Sequence, residues 1–373
     1  MAGIYIHIPF CKQKCSYCDF HFSTTFTAYR SRMIQALVKE IETRIGFIDQ
    51  QTVETIYFGG GTPSLLTINE LKAITEAIYR NYSVAPEIEF TLEANPDDIN
   101  DEQLLAWKEL GVNRLSIGLQ SFLQEDLDWM NRTHTAEEST NAVLLARKYG
   151  FSLTVDLIYG LPNRTVVDWK NNIDKLVSLA PDHISAYCLT VEKRTALYQL
   201  IQKGELPEVG EDDQSDQFEV LVKTLKTAGY HQYEISNFAK EDAYSKHNSN
   251  YWKGVNYLGI GPSAHSFDGE SRRWNIANNQ TYMKGVLNNI PFFEEEILTP
   301  KDRFNELLLT GLRTKWGVNL DELTFKHCTT KAFNQQLEDF KNNDLIVEFE
   351  NVIYLTEKGK LQADHIAAML FID

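Results

Sequence analysis

Ile4-Tyr5-Ile6-His7-Ile8-Pro9-Phe10-Cys11-Lys12-Gln13-Lys14-Cys15-Ser16-Tyr17-Cys18-Asp19-Phe20 opens the chain. The run from Ile4 to Ile8 reads as a short strand and stops at Pro9, which has no N–H to continue a ladder. Three cysteines follow at a C-x3-C-x2-C spacing, out of five in 373 residues. Thiolates this close are not spread through a core as packing residues. They can converge on one soft metal centre. Structural zinc takes four ligands, and here the fourth would be His7, His21 or a distant residue. A cubane iron–sulfur cluster normally takes four cysteines, and the other two, Cys188 and Cys328, each stand alone. On three cysteines a cubane keeps one iron without a protein ligand, as catalytic zinc keeps an open position. A disulfide is the weakest reading, because the cysteine count is odd and no secretion signal is recognisable.

Composition bounds the rest. The length suits one large domain and a small one. Hydrophobic residues make up 43% and the net charge is −16, an acidic globular chain unsuited to nonspecific binding of nucleic acid or anionic membrane. No apolar run reaches the roughly 18 residues that span a bilayer, and the first residues lack the charged-then-apolar pattern of a signal peptide. The expected localisation is cytoplasmic, where reduced thiolates persist.

Outward from the cysteines, strand-like and helix-like stretches alternate. Helices are expected over 29–45, 68–79, 101–110, 136–148 and 166–179, and strands over 55–58, 87–93, 114–119, 152–158 and 183–190. Six such alternations in about 190 residues imply a parallel sheet with helices outside. They are too few for an eightfold barrel of about 250 residues. A partial, open (β/α)6 barrel fits, with a doubly wound sheet as the alternative. A helix over 214–228 and a strand over 231–238 follow, and 237–273, rich in Gly, Asn, Ser and aromatics, reads as a long ordered loop. Beyond Pro300, three helices, a hairpin around Glu350-Asn351 and a last helix from Gly359 suggest a small winged-helix-like α+β domain. It carries nine basic against twelve acidic residues from Leu298 onward, the wrong sign for a DNA reader. The expected division is 1–192 for the barrel core, 193–299 for its extension and loops, and 300–373 for the accessory domain.

Ligands of such sheets bind where the strands end. Gly59-Gly60-Gly61-Thr62 follows the second strand, Glu93 ends the third, Gln120 follows the fourth and Asp156 lies late in the fifth. Three glycines allow a ligand close to the backbone, or simply make a tight turn. Acidic residues in apolar strands need partners. A nucleoside's hydroxyls or amines would serve, and so would a salt bridge to Arg114 or Arg132.

The C-x3-C-x2-C run, with Tyr17 before its last cysteine, resembles the radical S-adenosylmethionine superfamily, in which the cofactor's amino and carboxylate groups chelate the fourth iron. Tyr-x-His-Ile-Pro-Phe-Cys is narrower and resembles the oxygen-independent coproporphyrinogen oxidases and their paralogues, the HemW heme chaperones. The resemblance extends through Gly-Gly-Gly-Thr-Pro, Leu-Glu-Ala-Asn-Pro, Gly-Leu-Gln-Ser-Phe, Met-Asn-Arg-Thr-His and Asp-Leu-Ile-Tyr-Gly-Leu-Pro. It implies a 4Fe-4S cluster on Cys11, Cys15 and Cys18. It implies S-adenosylmethionine against Tyr5, Tyr17, Gly60, Gly61, Thr62, Glu93, Gln120, Arg132 and Asp156. Where the oxidases carry a fourth cysteine, two residues after the third, this chain has Phe20, and the motif begins at Tyr5 without their longer arm. Both departures place it beside the HemW proteins.

His247-Asn248-Ser249-Asn250-Tyr251-Trp252 resembles a motif of that group that is proposed to contribute to heme binding. Histidine is a normal axial ligand of heme iron, although a histidine in a polar loop more often bonds locally. His265 is the competing ligand. Cys188 and Cys328 read as small buried hydrophobes. The resemblance thus implies a heme chaperone that binds heme and passes it to an acceptor protein. The alternative is a coproporphyrinogen III oxidase, which Phe20 disfavours. A radical enzyme acting on an unrelated substrate is the third reading.

Overall fold

The computed structural model describes residues 1–49, 51–326 and 331–372. Strands and helices alternate from the start: β1 (Ala2–Ile8), α1 (Arg30–Thr43), β2 (Val53–Gly60), α2 (Ile68–Asn81), β3 (Val84–Ala94), α3 (Asp101–Glu109), β4 (Arg114–Gln120), α4 (Gln124–Trp129), α5 (Ala136–Lys148), β5 (Ser152–Tyr159), α6 (Val166–Leu179) and β6 (His183–Cys188). The six strands pair in chain order, all parallel. A doubly wound sheet reverses its strand order at a switch point. No reversal occurs between β1 and β6, so this is the singly wound, partial (β/α)6 arrangement.

The strands alternate with period two, and this alternation builds the site. One face carries Ile4, Ile6, Ile56, Phe58, Phe90, Leu92, Leu115, Ile117, Val155 and Ile184, all buried. They pack with Met33, Leu37, Ile74, Ile78, Trp107, Val143 and Ile173 from the surrounding helices. Burying each such side chain contributes roughly 1.5–3 kcal/mol, and Phe58→Ala at the centre of this layer costs about 3–5 kcal/mol. The opposite face is polar. Glu93, Ser116, Thr154 and His183 stand level across β3 to β6, and Gly118, Asp156 and Ser185 form the next row. Helices begin behind caps legible in the sequence. Thr67, Thr135 and Thr165 each accept from the N–H three residues on, and Glu70, Glu138 and Asp168 bond back.

The next hundred residues extend the same sheet. They form α7 (Ala196–Gln202), α8 (Glu211–Thr227), β7 (His231–Glu234), β8 (Asn237–Ala239), α9 (Lys246–Trp252), β9 (Asn256–Ile260), β10 (His265–Phe267), β11 (Ser271–Asn275), α10 (Asn279–Asn288) and β12 (Phe293–Ile297). The sheet runs β12-β11-β10-β9-β1-β2-β3-β4-β5-β6-β8-β7, with β9 parallel to β1. Two expectations are corrected here. The strand over 231–238 is a hairpin of β7 and β8. The stretch 237–273 is not a long loop: its glycines and asparagines punctuate elements of three to seven residues.

The last unit holds α11 (Pro300–Leu312), β13 (Val318–Asn319), α12 (Leu320–Lys326), α13 (Lys331–Asn342), β14 (Ile346–Phe349), β15 (Val352–Leu355), α14 (Glu357–Lys360) and α15 (Ala363–Met369). Its three strands form a separate antiparallel sheet, β13-β15-β14. Glu350 and Asn351 both take positive φ, the pattern of a two-residue hairpin turn that suits the strand twist. Where a single final helix was expected there are two short ones. Phe304, Leu308, Leu337, Ile353, Ile366 and Leu370 are among the residues of a core of its own. The unit docks on the edge of β7, where Thr314 makes a backbone bridge to Glu234 and Arg313 pairs with the Glu234 carboxylate at 3.1 Å. Among the described residues no helix is long and apolar enough to cross a membrane.

Candidate cofactor site

The cysteine loop leaves β1 and is closed at its base. Cys11 N donates to Ser23 O at 3.1 Å and Ser23 N to Pro9 O at 2.9 Å. Its outer part is tied to three neighbours. Ser16 N donates to Met130 O and Leu197 N to Ser16 O. Asn131 Nδ2 donates to Lys14 O at 2.7 Å, and Lys12 Nζ pairs with Asp97 at 2.6 Å and with Asp98. Tyr17 packs against a small cluster of Met130, Ile158, Leu161, Leu189 and Leu197. The loop is thereby held over the ends of β3, β4 and β5.

Beneath it lies a cavity of about 600 Å³. Cys11, Cys15, Cys18, Tyr17, Gly60, Gly61, Thr62, Glu93, Gln120, Arg132 and Asp156 all line it. Eleven of the thirteen residues singled out from sequence therefore share one space. The glycine turn is a close-contact surface. Gly60 has φ +105°, and a Cβ on Gly61 would stand 2.6 Å from Phe10 O and 2.8 Å from Ile8 O. Thr62 Oγ1 donates toward Cys11 Sγ at 3.6 Å.

Glu93 accepts from Tyr57 OH at 2.8 Å and from Gly60 N at 3.1 Å. Burial pushes its carboxyl up to about 7, helped by the charge of Asp156 and opposed by those two donors. Burial likewise pushes Asp156 up to about 6, against hydrogen bonds from Ser185 and Ser116. Neither carboxylate forms the salt bridge that the sequence allowed. Arg114 stands 3.9 Å from Glu89 instead and bonds Thr154. Arg132 donates to Asn95 Oδ1 at 2.7 Å, to Gly118 O at 2.8 Å and toward Cys15 Sγ at 3.6 Å. Its Nε, shielded from solvent, has no partner among the described residues.

This donor set fits a cluster. The cysteines are free thiols. Burial pushes Cys11 up to about 12 and raises Cys18, so both thiols hold their protons without a metal and would give them up on binding iron. Phe20, two residues after the third cysteine, lies 75% exposed at the cavity wall.

Tyr5 and His247 stand elsewhere, in a second chamber of about 220 Å³. Glu93, Ser116, Asp156 and Tyr187 line both spaces. Tyr5 OH donates to His7 Nδ1 at 3.2 Å, and His7 Nε2 donates to His21 O at 2.9 Å. His247 was expected on the long ordered loop. It lies on α9, 3% exposed, with Nδ1 2.7 Å from Thr55 Oγ1 and Nε2 2.9 Å from Tyr251 OH. Burial pushes its imidazole down to about 3, so the ring is neutral, donating at one nitrogen and accepting at the other. His265 is exposed on β10, beside Trp274. Cys188, expected as a buried hydrophobe, is half-buried and lines the main cavity. Cys328 lies outside the described residues. Sequence reasoning missed Asn95, Ser116, Gly118 and Tyr187 as lining residues. The period-two spacing of polar residues along β3, β4 and β6 carried that signal.

A radical SAM superfamily model matches residues 5–176, and the HemN C-terminal domain matches 298–361. Curated relatives match nearly end to end. The heme chaperone HemW of Bacillus subtilis is 34% identical over 98% of this chain and 98% of its own length. That of Mycobacterium tuberculosis is 32% identical over 99% and 94%. The mitochondrial radical S-adenosyl methionine domain-containing protein 1 of Bos taurus is 33% identical over 98% and 82%. The solved coproporphyrinogen III oxidase HemN of Escherichia coli superposes with a TM-score of 0.87 at 23% identity, covering 99% of this chain and 90% of that one. Superfamily membership implies a 4Fe-4S cluster and S-adenosylmethionine. The chain belongs to the radical SAM superfamily and, within it, to the HemW family.

Proposed function

We propose that this chain is a heme chaperone: it holds a 4Fe-4S cluster on Cys11, Cys15 and Cys18, binds S-adenosylmethionine at the iron they leave open, binds heme and passes it to an acceptor protein. One observation carries the reading: the three cysteines, the glycine turn and Glu93, Gln120, Arg132 and Asp156 line a single cavity, with a phenylalanine in place of a fourth cysteine at its wall. The names of the curated relatives support the heme part. When bound, the cluster supplies an electron and an iron that takes the amino and carboxylate groups of the cofactor. The chain's own residues do the rest. Arg132 sets a positive charge against Cys15 and ties the cysteine loop to β3 and β4. Glu93 and Asp156, which make no ion pair among the described residues, are placed to take the nucleoside's hydroxyls and amine. The glycine turn admits the cofactor to the backbone.

The test is a heme titration of the anaerobically reconstituted protein, read at the Soret band, followed by addition of an apo-heme protein. Saturable binding with one heme per chain, then transfer, is the expected result. Absence of saturable binding overturns the chaperone reading. Turnover of coproporphyrinogen III to protoporphyrinogen IX would favour the oxidase instead.

A further inference from the structure

We infer that the His247-Asn248-Ser249-Asn250-Tyr251-Trp252 helix is the floor of the barrel, that His247 positions Tyr57 and through it Glu93, and that His247 is not the iron ligand of a bound heme. The last clause rests on the heme reading above; the first two do not.

Place argues first. His247 meets Thr55 near the start of β2. The cofactor cavity begins at Gly60, at the other end of that strand. Five residues of strand, about 16 Å, separate Thr55 from Gly60. A Cβ on Gly3 of β1 would stand 3.3 Å from His247 Nδ1, so β1 backbone closes one side. Stacked Tyr57 at 5.0 Å and edge-on Tyr251 at 5.0 Å close two more. Both nitrogens are already bonded. A porphyrin plane at either one requires α9 to leave the sheet.

The helix is anchored against leaving. Glu89 of β3 accepts from Lys246 N at 2.9 Å and His247 N at 2.8 Å. Asn248 Nδ2 donates to Tyr233 OH at 3.0 Å, and Tyr233 is bonded to His183 at 2.8 Å. Trp252 lies under the Arg313 guanidinium at 5.4 Å, and Arg313 ties Glu234 to Asp364. One short helix thus joins β2, β3, β7 and the C-terminal unit.

The floor also bears on the cofactor site. The imidazole stacks on Tyr57, whose hydroxyl donates to Glu93. Every side chain lining the 220 Å³ chamber above α9 has a polar group, among them Ser185, Asn237 and a His183 whose Nδ1 has no partner among the described residues. A polar space of that size holds several waters, and α9 forms one of its walls.

Two substitutions separate the roles. His247→Phe keeps a ring on Tyr57 but cannot ligate iron. Tyr251→Phe keeps the imidazole and frees Nε2. We expect both variants to bind heme within twofold of wild type, with an unchanged low-spin electron paramagnetic resonance signature. His247→Ala is expected to lower Tm more than His247→Phe and to weaken S-adenosylmethionine binding severalfold, with His247→Phe restoring most of that affinity. Loss of the low-spin signature in His247→Phe with Tm retained, or heme binding tightened by Tyr251→Phe, overturns the ligand clause. Equal cofactor affinity in His247→Ala and wild type overturns the positioning clause. If wild type binds no heme, the chaperone reading fails, and the cofactor affinities still judge the floor. Should His247→Phe not fold, Tyr251→Phe and Thr55→Val carry the comparison.

Discussion

Arg132 reaches across 117 positions of sequence to Cys15, its Nη1 3.6 Å from the cysteine sulfur. The same guanidinium donates to Asn95 and Gly118, so its charge is fixed rather than mobile. With Cys15 as the proposed cluster ligand, a fixed positive charge beside it would favour the more negative, reduced cluster. Replacing Arg132 by Gln is expected to move the reduction potential on the order of 60 mV more negative, a tenfold change for one electron. Potentiometry followed by electron paramagnetic resonance checks this. An unmoved potential would leave Arg132 a structural tie.

Gly61 has no room for a side chain. An added Cβ meets two backbone oxygens, at Phe10 and Ile8, and neither can swing away as a side chain can. Gly61→Ala is expected to cost about 1–3 kcal/mol and to push the cysteine loop away from the glycine turn. Denaturant titration reads the first effect and S-adenosylmethionine affinity the second.

Glu93 sets a pH dependence whose sign is opposite to that of an ion-paired carboxylate. Its folded carboxyl is raised to about 7 from an ordinary 4.5, so between those values the native state binds more protons than the unfolded chain. The cofactor-free protein therefore loses stability as pH rises from about 4.5 to about 7, by a few kcal/mol at most. Glu93→Gln, which cannot ionise, is expected to flatten that fall when Tm is followed against pH. A parallel profile in the variant would contradict the assignment.

How much of this was legible in the sequence follows from range. The cysteine run, the helix caps at Thr67, Thr135 and Thr165 and the β/α alternation are local signals, and the structure keeps them. The polar interior was legible in principle, since Thr91-x-Glu93, Ser116-x-Gly118 and Thr154-x-Asp156 repeat every second residue. The placement of α9 was not legible. It depends on β9 pairing with β1 across some 250 residues, and a histidine among polar neighbours reads the same in a loop or in a floor.

Lys12 latches the cysteine loop to Asp97 and Asp98. Lys12 is about a third exposed, so Lys12→Met is expected to cost less than about 1 kcal/mol in folding. The freed loop opens the cluster to solvent, and its visible absorption is expected to bleach severalfold faster in air. A bleaching rate equal to wild type would show that the loop's backbone ties suffice.

The account turns on an iron left open by three cysteines. The most direct measurement is the electron paramagnetic resonance spectrum of the reduced, reconstituted protein before and after addition of S-adenosylmethionine, with iron counted in the same sample. The account predicts four irons per chain, a spectrum that changes on addition, and loss of both in Cys15→Ala. Bound zinc, two irons per chain or a spectrum indifferent to the cofactor would contradict it.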